Sequence, residues 1–115
     1  MGDRRNVKVV DNNNTEVYLY THWGGYNLPL VVQETLARRE RWDDAPYLAR
    51  MIFCAMMGGD QHGSTGFGIS ANLQDTNYPG REVEIYTSIK EITIGKNSRT
   101  FEEFIELDVN FVAGL

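Results

Sequence analysis

The first quarter of the chain alternates between apolar and polar positions in a way that predicts a β-hairpin. Residues 7–10, Val-Lys-Val-Val, favour a short strand, and residues 16–23 alternate one by one. Between them lies Asp-Asn-Asn-Asn at 11–14, whose members tolerate left-handed backbone and close turns. The two strands should therefore pair antiparallel through a loop of about four or five residues.

The middle of the chain carries apolar residues at helical spacing and predicts two consecutive helices. The first should begin after Asn27, a favourable N-cap, and end near Trp42. The second should open at 43–46, where an acidic cap precedes a proline in the first turn, and should stop at the glycine pair 58–59. A break this short between helices predicts an αα-hairpin.

The second half of the chain returns to strand patterns. Three segments favour strands, namely 66–70, 82–86 and 91–94. A turn at 95–98 follows, and Thr100 with Glu103 matches a capping box, which predicts a short helix through about Leu107. We expect the last residues to be ordered only where a partner holds them.

The order ββ-αα-βββ-α groups strands and helices instead of alternating them. This grouping predicts the α+β class: an antiparallel sheet, made of the N-terminal hairpin plus the C-terminal strands, with the αα-hairpin and the short C-terminal helix packed on it. With 115 residues, the chain 1–115 should form a single domain with its own core.

Composition narrows the classes of function. A net charge of −5 argues against a protein that follows a nucleic-acid backbone, because such binding depends on phosphate neutralisation. Neither a long apolar run nor a secretory start is present, so we expect a cytoplasmic protein without a membrane segment. Cys54 is the one cysteine, and His22 and His62 stand apart, so we expect no disulfide, metal or cofactor.

The second strand carries the most distinctive chemistry of the chain. On an alternating strand, Tyr18, Tyr20 and His22 point to one side, whereas Trp23 points to the other and precedes the glycine pair 24–25. Three rings with polar tips can stack on a planar ligand and hydrogen-bond to its edges. The alternative is that these aromatic side chains fill a core.

Two further features complete the candidate ligand site. The strand containing Gly66, Phe67 and Gly68 has a bare face, which leaves room for a flat ligand or another backbone. Arg4, Arg5 and Arg50 can supply forked donors to a phosphate or carboxylate. The alternatives are a bulge or tight helix packing for the glycines, and an ion pair of Arg50 with an aspartate at 43 or 44.

His22 also raises the possibility of catalysis. Its side chain can act as a general acid or base near neutral pH, but it needs a partner such as Asp60 or Glu84. Thr21 and Ser64 lack the surroundings of a recognisable nucleophile. We therefore expect binding and no enzymatic activity.

Several segments resemble a family of small phage and prophage proteins. The segments are Gly-Asp-Arg-Arg-Asn-Val at 2–7, Val-Tyr-Leu-Tyr-Thr-His-Trp-Gly-Gly at 17–25, Arg-Trp-Asp-Asp-Ala-Pro-Tyr-Leu-Ala-Arg at 41–50, Thr-Gly-Phe-Gly-Ile-Ser at 65–70 and Thr-Phe-Glu-Glu-Phe at 100–104. The resemblance covers nearly the whole chain, and its Thr-His-Trp and Trp-Asp-Asp motifs are fairly specific. It implies a phage setting, and therefore a host-cell cytoplasm, more than an activity.

A phage setting suggests an anti-defence protein. In size and in its aromatic and arginine side chains, the chain is similar to proteins that capture a cyclic nucleotide or cyclic ADP-ribose type of immune signal without cleaving it. In this hypothesis Arg4 and Arg50 hold phosphates, Tyr20 and Trp23 stack, and His22 hydrogen-bonds a ribose or base edge. The alternatives are a protein-binding inhibitor or structural phage protein, and an enzyme that degrades such a signal through His22.

Self-association is a further expectation. The two helices offer more apolar surface than a small sheet needs, and symmetric dimers are the commonest oligomers. The side chains concerned are Met51, Phe53, Met56 and Met57. We therefore expect a homo-oligomer.

Overall fold

A computed structural model describes residues 2–115 and contains a six-stranded sheet. The strands are β1 (Arg5–Val10), β2 (Glu16–Thr21), β3 (Phe67–Ser70), β4 (Val83–Tyr86), β5 (Glu91–Ile94) and β6 (Asn97–Thr100). Their order across the sheet is β3-β2-β1-β4-β5-β6, so β3 and β6 form the edges. Neighbouring strands run antiparallel, except that the central β1 and β4 are parallel.

Within residues 2–115, four helices accompany the sheet. They are α1 (Leu28–Leu36), α2 (Ala45–Met57), α3 (Phe101–Ile105) and α4 (Val109–Ala113), and a 3₁₀ turn (Gly25–Asn27) precedes α1. All four contribute apolar side chains to one core, which they share with the sheet face that carries Val7 and Ile85. The opposite face carries Lys8 and Tyr18 and is left without a helical layer in residues 2–115.

The α+β class is confirmed, and the sheet is mostly antiparallel as predicted. The parallel pair arises because β4 does not continue the sheet from β3 and instead lies beside β1 at the centre. The connection between β3 and β4 therefore crosses the sheet. It is tied to the start of β1 by Asn77, whose N–H donates to the Arg4 oxygen at 2.9 Å. None of the described helices is long and apolar enough to cross a membrane.

The first helix is shorter than the sequence predicts. α1 ends at Leu36, and the predicted end near Trp42 is wrong. Arg39 and Arg41 adopt positive φ values of 56° and 59°, which a helix cannot contain. The indole nitrogen of Trp42 donates to the Leu36 oxygen at 3.0 Å, so this side chain satisfies a carbonyl at the helix end instead of extending the helix.

The C-terminal end contains more structure than expected. The capping box of Thr100 and Glu103 is confirmed at the start of α3. The predicted turn at 95–98 overlaps β6, which pairs with β5 through a two-residue loop. The final residues form α4, where Asp108 caps the helix and Val112 is fully buried, so they are ordered without a partner.

Candidate functional site

A groove opens between α2 and the β1, β2 and β3 side of the sheet. Its volume is about 380 Å³, within the range that small-molecule sites occupy. Its apolar lining includes Val9, Val17, Leu19, Ala45, Ala49, Phe53 and Ile69. Because α2 presents the small side chain of Ala49 here, the helix leaves space above β2 instead of filling it. Ile69 is 63% exposed.

Arg50 lies at the rim of this groove. Its side chain is exposed and makes no hydrogen bond or ion pair with residues 2–115. The alternative that it pairs with an aspartate at the start of α2 is wrong. Asp44 instead accepts from Arg41 at 3.5 Å and caps the helix through Tyr47 N–H. Arg50 is therefore free to bind an anion.

The carboxylates at the other end of the groove are occupied. One Asp11 carboxylate oxygen accepts main-chain N–H groups from Asn13 and Thr15, at 2.8 and 2.9 Å, and closes the hairpin loop. Glu16, at the start of β2, turns its side chain to the opposite face of the sheet, where it pairs with Lys8 at 3.2 Å. Of the charged residues around the groove, Arg50 is thus the one whose side chain has no internal partner in residues 2–115.

The predicted row of rings lies on the other face of the sheet. Tyr18 and Tyr20 are half-buried there, and Gly68 is opposite Tyr20 on β3. The Tyr18 hydroxyl donates to Glu16 at 3.2 Å, and burial followed by this hydrogen bond raises the pKa of Tyr18. Lys8 is the cation of this face, and it lies among Glu16 and Glu84, so the face is poorly suited to a phosphate.

His22 continues this row beyond the end of β2. Its Nδ1 lies 3.4 Å from the Tyr20 hydroxyl, and its ring meets Trp23 edge-on at 5.1 Å between centroids. No carboxylate of residues 2–115 hydrogen-bonds to it, so neither Asp60 nor Glu84 orients this histidine. His22 therefore packs with Tyr20 and Trp23 at the end of β2 and does not form the acid–base pair that catalysis would need.

Trp23, Gly66 and Phe67 form a separate aromatic cluster at the start of β3. The Trp23 and Phe67 ring centroids are 6.3 Å apart, and Trp23 lies directly against Gly66. Trp23 also lines a smaller cavity of about 140 Å³ with Tyr26 and Met56. The position beside Gly66 is therefore filled by the chain's own indole, which is neither the open space nor the helix packing that the sequence suggested.

Arg4 does not join the groove or the aromatic cluster. Its main chain is anchored by Asn77, whose side-chain oxygen accepts the Arg4 N–H at 2.7 Å. The other predicted site residues fall into three places: the open sheet face (Tyr18, Tyr20, His22, Gly68), the aromatic cluster (Trp23, Gly66, Phe67) and the groove (Arg50). Within one chain, no single small ligand can touch Tyr20 and Arg50, since the sheet separates them.

Sequence reasoning missed the groove, and it wrongly took Arg5 for a donor to an anionic ligand, whereas this side chain is buried. Small residues four positions apart on α2, Ala45 and Ala49, were the available signal for space beside a strand. Arg5 is 1% exposed, and its guanidinium donates to the main-chain oxygen of Arg81 at 2.9 and 3.0 Å. Burial, followed by repulsion from Arg81, lowers the pKa of Arg5 to about 10.

No protein-family model, curated protein or solved structure matches this chain. The features that define it are an α+β domain and an apolar groove with one unpaired arginine at its rim.

Proposed function

We propose that this chain binds a small nucleotide-derived molecule in the groove beside α2 and sequesters it without cleaving it. The observation that carries the proposal is the exposed, unpaired guanidinium of Arg50 at the mouth of an apolar groove. An arginine in such a place can bind a phosphate with two parallel hydrogen bonds.

The shape and lining of the groove suit the rest of such a ligand. A base or another flat ring can pack against Phe53 and the aliphatic side chains of Leu19 and Ile69. The groove volume of about 380 Å³ favours one nucleotide unit over a longer nucleic acid. The net charge of −5 likewise favours a local anion site over a backbone-binding surface.

The carboxylates around the groove are already engaged within the protein, which favours binding of a ligand without its cleavage. Asp11 and Glu16 are held in hydrogen bonds and an ion pair that belong to the hairpin, so neither is positioned to move a proton on a ligand. His22, the residue proposed for catalysis in the alternative, lies on the opposite side of the sheet. The anti-defence role of such binding rests on the resemblance to phage proteins.

The test is a melting-temperature screen of the purified protein against nucleoside monophosphates, cyclic dinucleotides and cyclic ADP-ribose isomers. Any compound that raises the melting temperature would then be incubated with the protein, released by heating and weighed by mass spectrometry. Release of the unchanged compound supports sequestration. A changed mass supports the alternative enzyme, and no shift with any compound contradicts the proposal and favours a protein partner.

Substitutions of Arg50 test whether the ligand binds in the groove. A charge-assisted hydrogen bond contributes about 1.5–3 kcal/mol, so Arg50→Ala should weaken binding by about 10- to 100-fold. Arg50→Lys should recover part of the affinity, because it keeps the charge but not the fork. The control is Arg38→Ala, since Arg38 is exposed and pairs with Glu40 away from the groove. Equal affinity of Arg50→Ala and the control contradicts this site.

Tyr20→Ala distinguishes the groove from the open sheet face. Because Tyr20 lies on the far side of the sheet from Arg50, its loss should leave binding in the groove unchanged. If instead Tyr20→Ala abolishes binding and Arg50→Ala does not, the ligand occupies the row of tyrosines. The two variants together therefore decide which face of the sheet carries the function.

A further inference from the structure

β3 is an edge strand whose outward main-chain groups have no partner in residues 2–115. His22 N–H donates to the Gly66 oxygen at 2.8 Å, which fixes the alternation along this strand. In an antiparallel pair, the main-chain groups of every second residue hydrogen-bond to the adjacent strand. The N–H and C=O groups of Gly66, Gly68 and Ser70 therefore point towards β2. The N–H and C=O groups of Phe67 and Ile69 therefore point away from the sheet, and no residue of 2–115 hydrogen-bonds to them.

The opposite edge of the sheet is protected. The N–H of Thr100 on β6 donates to the Glu103 carboxylate of the capping box at 2.9 Å, so it cannot bond to an added strand. Lys96 and Arg99 place two cations along the same edge. Charged side chains and occupied N–H groups are common devices against edge-to-edge pairing, and β3 has neither.

The sequence of β3 suits pairing with itself. Phe-Gly-Ile-Ser contains no charge, so two antiparallel copies would bring no like charges together. With Gly68 on the two-fold axis, Phe67 of each copy lies opposite Ile69 of the other, and the outward groups of both exchange hydrogen bonds. This register forms four main-chain hydrogen bonds.

We propose that two copies of this chain associate through β3, antiparallel about Gly68, into one continuous sheet. Ile69 is 63% exposed and would be covered by Phe67 of the second copy. Ile69 also lines the groove, so the second copy would extend the wall of the groove on its β3 side. The pairing needs no ligand and stands independently of the proposed function.

The sheet edge is a better interface than the helical surface expected from the sequence. Met51 is 6% exposed, and Phe53 and Met56 pack against the chain's own core. Much of the apolar surface of α2 is therefore already used within one chain. The edge of β3, by contrast, combines free hydrogen-bonding groups with exposed apolar side chains, and both are satisfied by a second copy.

The first test is the mass in solution, measured by light scattering or native mass spectrometry over a range of protein concentrations. The unaltered chain should reach twice its 13.1 kDa mass. Ile69→Lys places like charges at the proposed interface and should give the single-chain mass. The matched control, Ile89→Lys, changes an isoleucine of similar exposure (59%) in the turn before β5 and should remain a dimer.

A cysteine cross-link tests the register. Gly68 has open space where a β-carbon would lie and no positive φ, so Gly68→Cys should fold normally. Opposed residues in a non-hydrogen-bonded antiparallel pair lie about 4.5 Å apart at Cα, within reach of a disulfide. In a Cys54→Ala background, mild oxidation should link Gly68→Cys chains in pairs and leave Ser98→Cys chains on β6 unlinked.

Three results would overturn the proposal. A single-chain mass for the unaltered protein at every concentration contradicts any dimer. Dimers that survive Ile69→Lys, or that are lost equally with Ile89→Lys, contradict an interface at β3. Equal cross-linking through Gly68→Cys and Ser98→Cys contradicts the register about Gly68.

Discussion

The indole of Trp23 lies directly on Gly66, where a side chain would overlap the six-membered ring. Gly66 also has a φ of +98°, which other residues rarely adopt. Gly66→Ala should therefore displace Trp23 and lower the free energy of unfolding by about 1–3 kcal/mol. Urea unfolding, followed by tryptophan fluorescence, measures both effects.

Gly68→Ala is the matched control for this contact. Gly68 is two positions along the same strand, with open space around its α-carbon and no positive φ. Its replacement should change the free energy of unfolding by less than about 0.5 kcal/mol. Equal losses in the two variants would show that strand propensity, and not the Trp23 contact, accounts for the glycine at 66.

Gln33 joins α1 to the C-terminal helices. Its side-chain nitrogen donates to the main-chain oxygens of Phe104 and Leu107, at 3.1 and 3.0 Å, and satisfies carbonyls at the end of α3. Gln33→Met keeps the length of the side chain but leaves both carbonyls without this donor. We expect a loss of about 1–3 kcal/mol in the free energy of unfolding.

Glu34→Met serves as the comparison for Gln33. Glu34 is the next residue of the same helix and is exposed, so its replacement tests helix propensity and hydrophobicity alone. Thermal and urea unfolding should separate the two variants clearly. A loss for Gln33→Met no larger than for Glu34→Met would mean that these hydrogen bonds do not stabilise the fold.

Arg5 is a structural residue that lysine cannot replace. Its planar guanidinium bonds to the oxygens of Arg81 and Gly25 and lies 4.4 Å from the Tyr78 ring centroid. Lysine lacks the fork needed to reach both oxygens, so Arg5→Lys should cost about 2 kcal/mol or more. Arg4→Lys should be nearly neutral, because the Arg4 side chain makes no hydrogen bond within residues 2–115. Urea unfolding of the two variants measures the difference.

Tyr86 makes stability depend on pH in the alkaline range. Burial, and then donation of its hydroxyl to Glu84, raises the pKa of Tyr86 above its ordinary value of 10.0. The folded state thus holds the phenol proton more tightly than the unfolded state. This contribution to stability is complete below pH 10.0 and falls as the pH rises towards the raised pKa.

The measurement is the free energy of unfolding in urea between about pH 8 and pH 11. Glu84→Gln removes one cause of the raised pKa, so its stability should decline less steeply in this range. Glu34→Gln, an exposed change on α1, should follow the unaltered protein. Identical slopes for Glu84→Gln and the unaltered protein would contradict a role for this hydrogen bond.

The elements that could be predicted from sequence depend on neighbouring residues. Alternation predicted the hairpin of β1 and β2, and the capping box at Thr100 predicted the start of α3. These signals act over a few positions, so they survive in the folded chain. The end of α1 was missed because the Trp42 indole bonds back to Leu36, a contact that no local pattern encodes.

The candidate site likewise combines features that are local in the sequence with features that depend on the fold. Alternation correctly separated the row of Tyr18 and Tyr20 from Trp23, since side-chain direction along a strand is a local property. Whether Arg50 was paired or free depended on Asp44, which bonds to Arg41 instead. Arg41 and Arg50 are both near Asp44 in the sequence, and the folded chain brings Arg41 to it.

Sequence alone determined the α+β class, the hairpin and the caps at Asp44 and Thr100, because hydrophobic periodicity and capping chemistry are properties of short segments. The predicted cap at Asn27 is wrong, since its side chain makes no capping hydrogen bond. Tertiary structure alone decided that β1 pairs with β4, that β3 is left at an edge, and that a groove opens beside Ala49 and Arg50. These features join residues distant in the sequence. They depend on how the strands and helices pack against one another in a common core, which involves the whole chain.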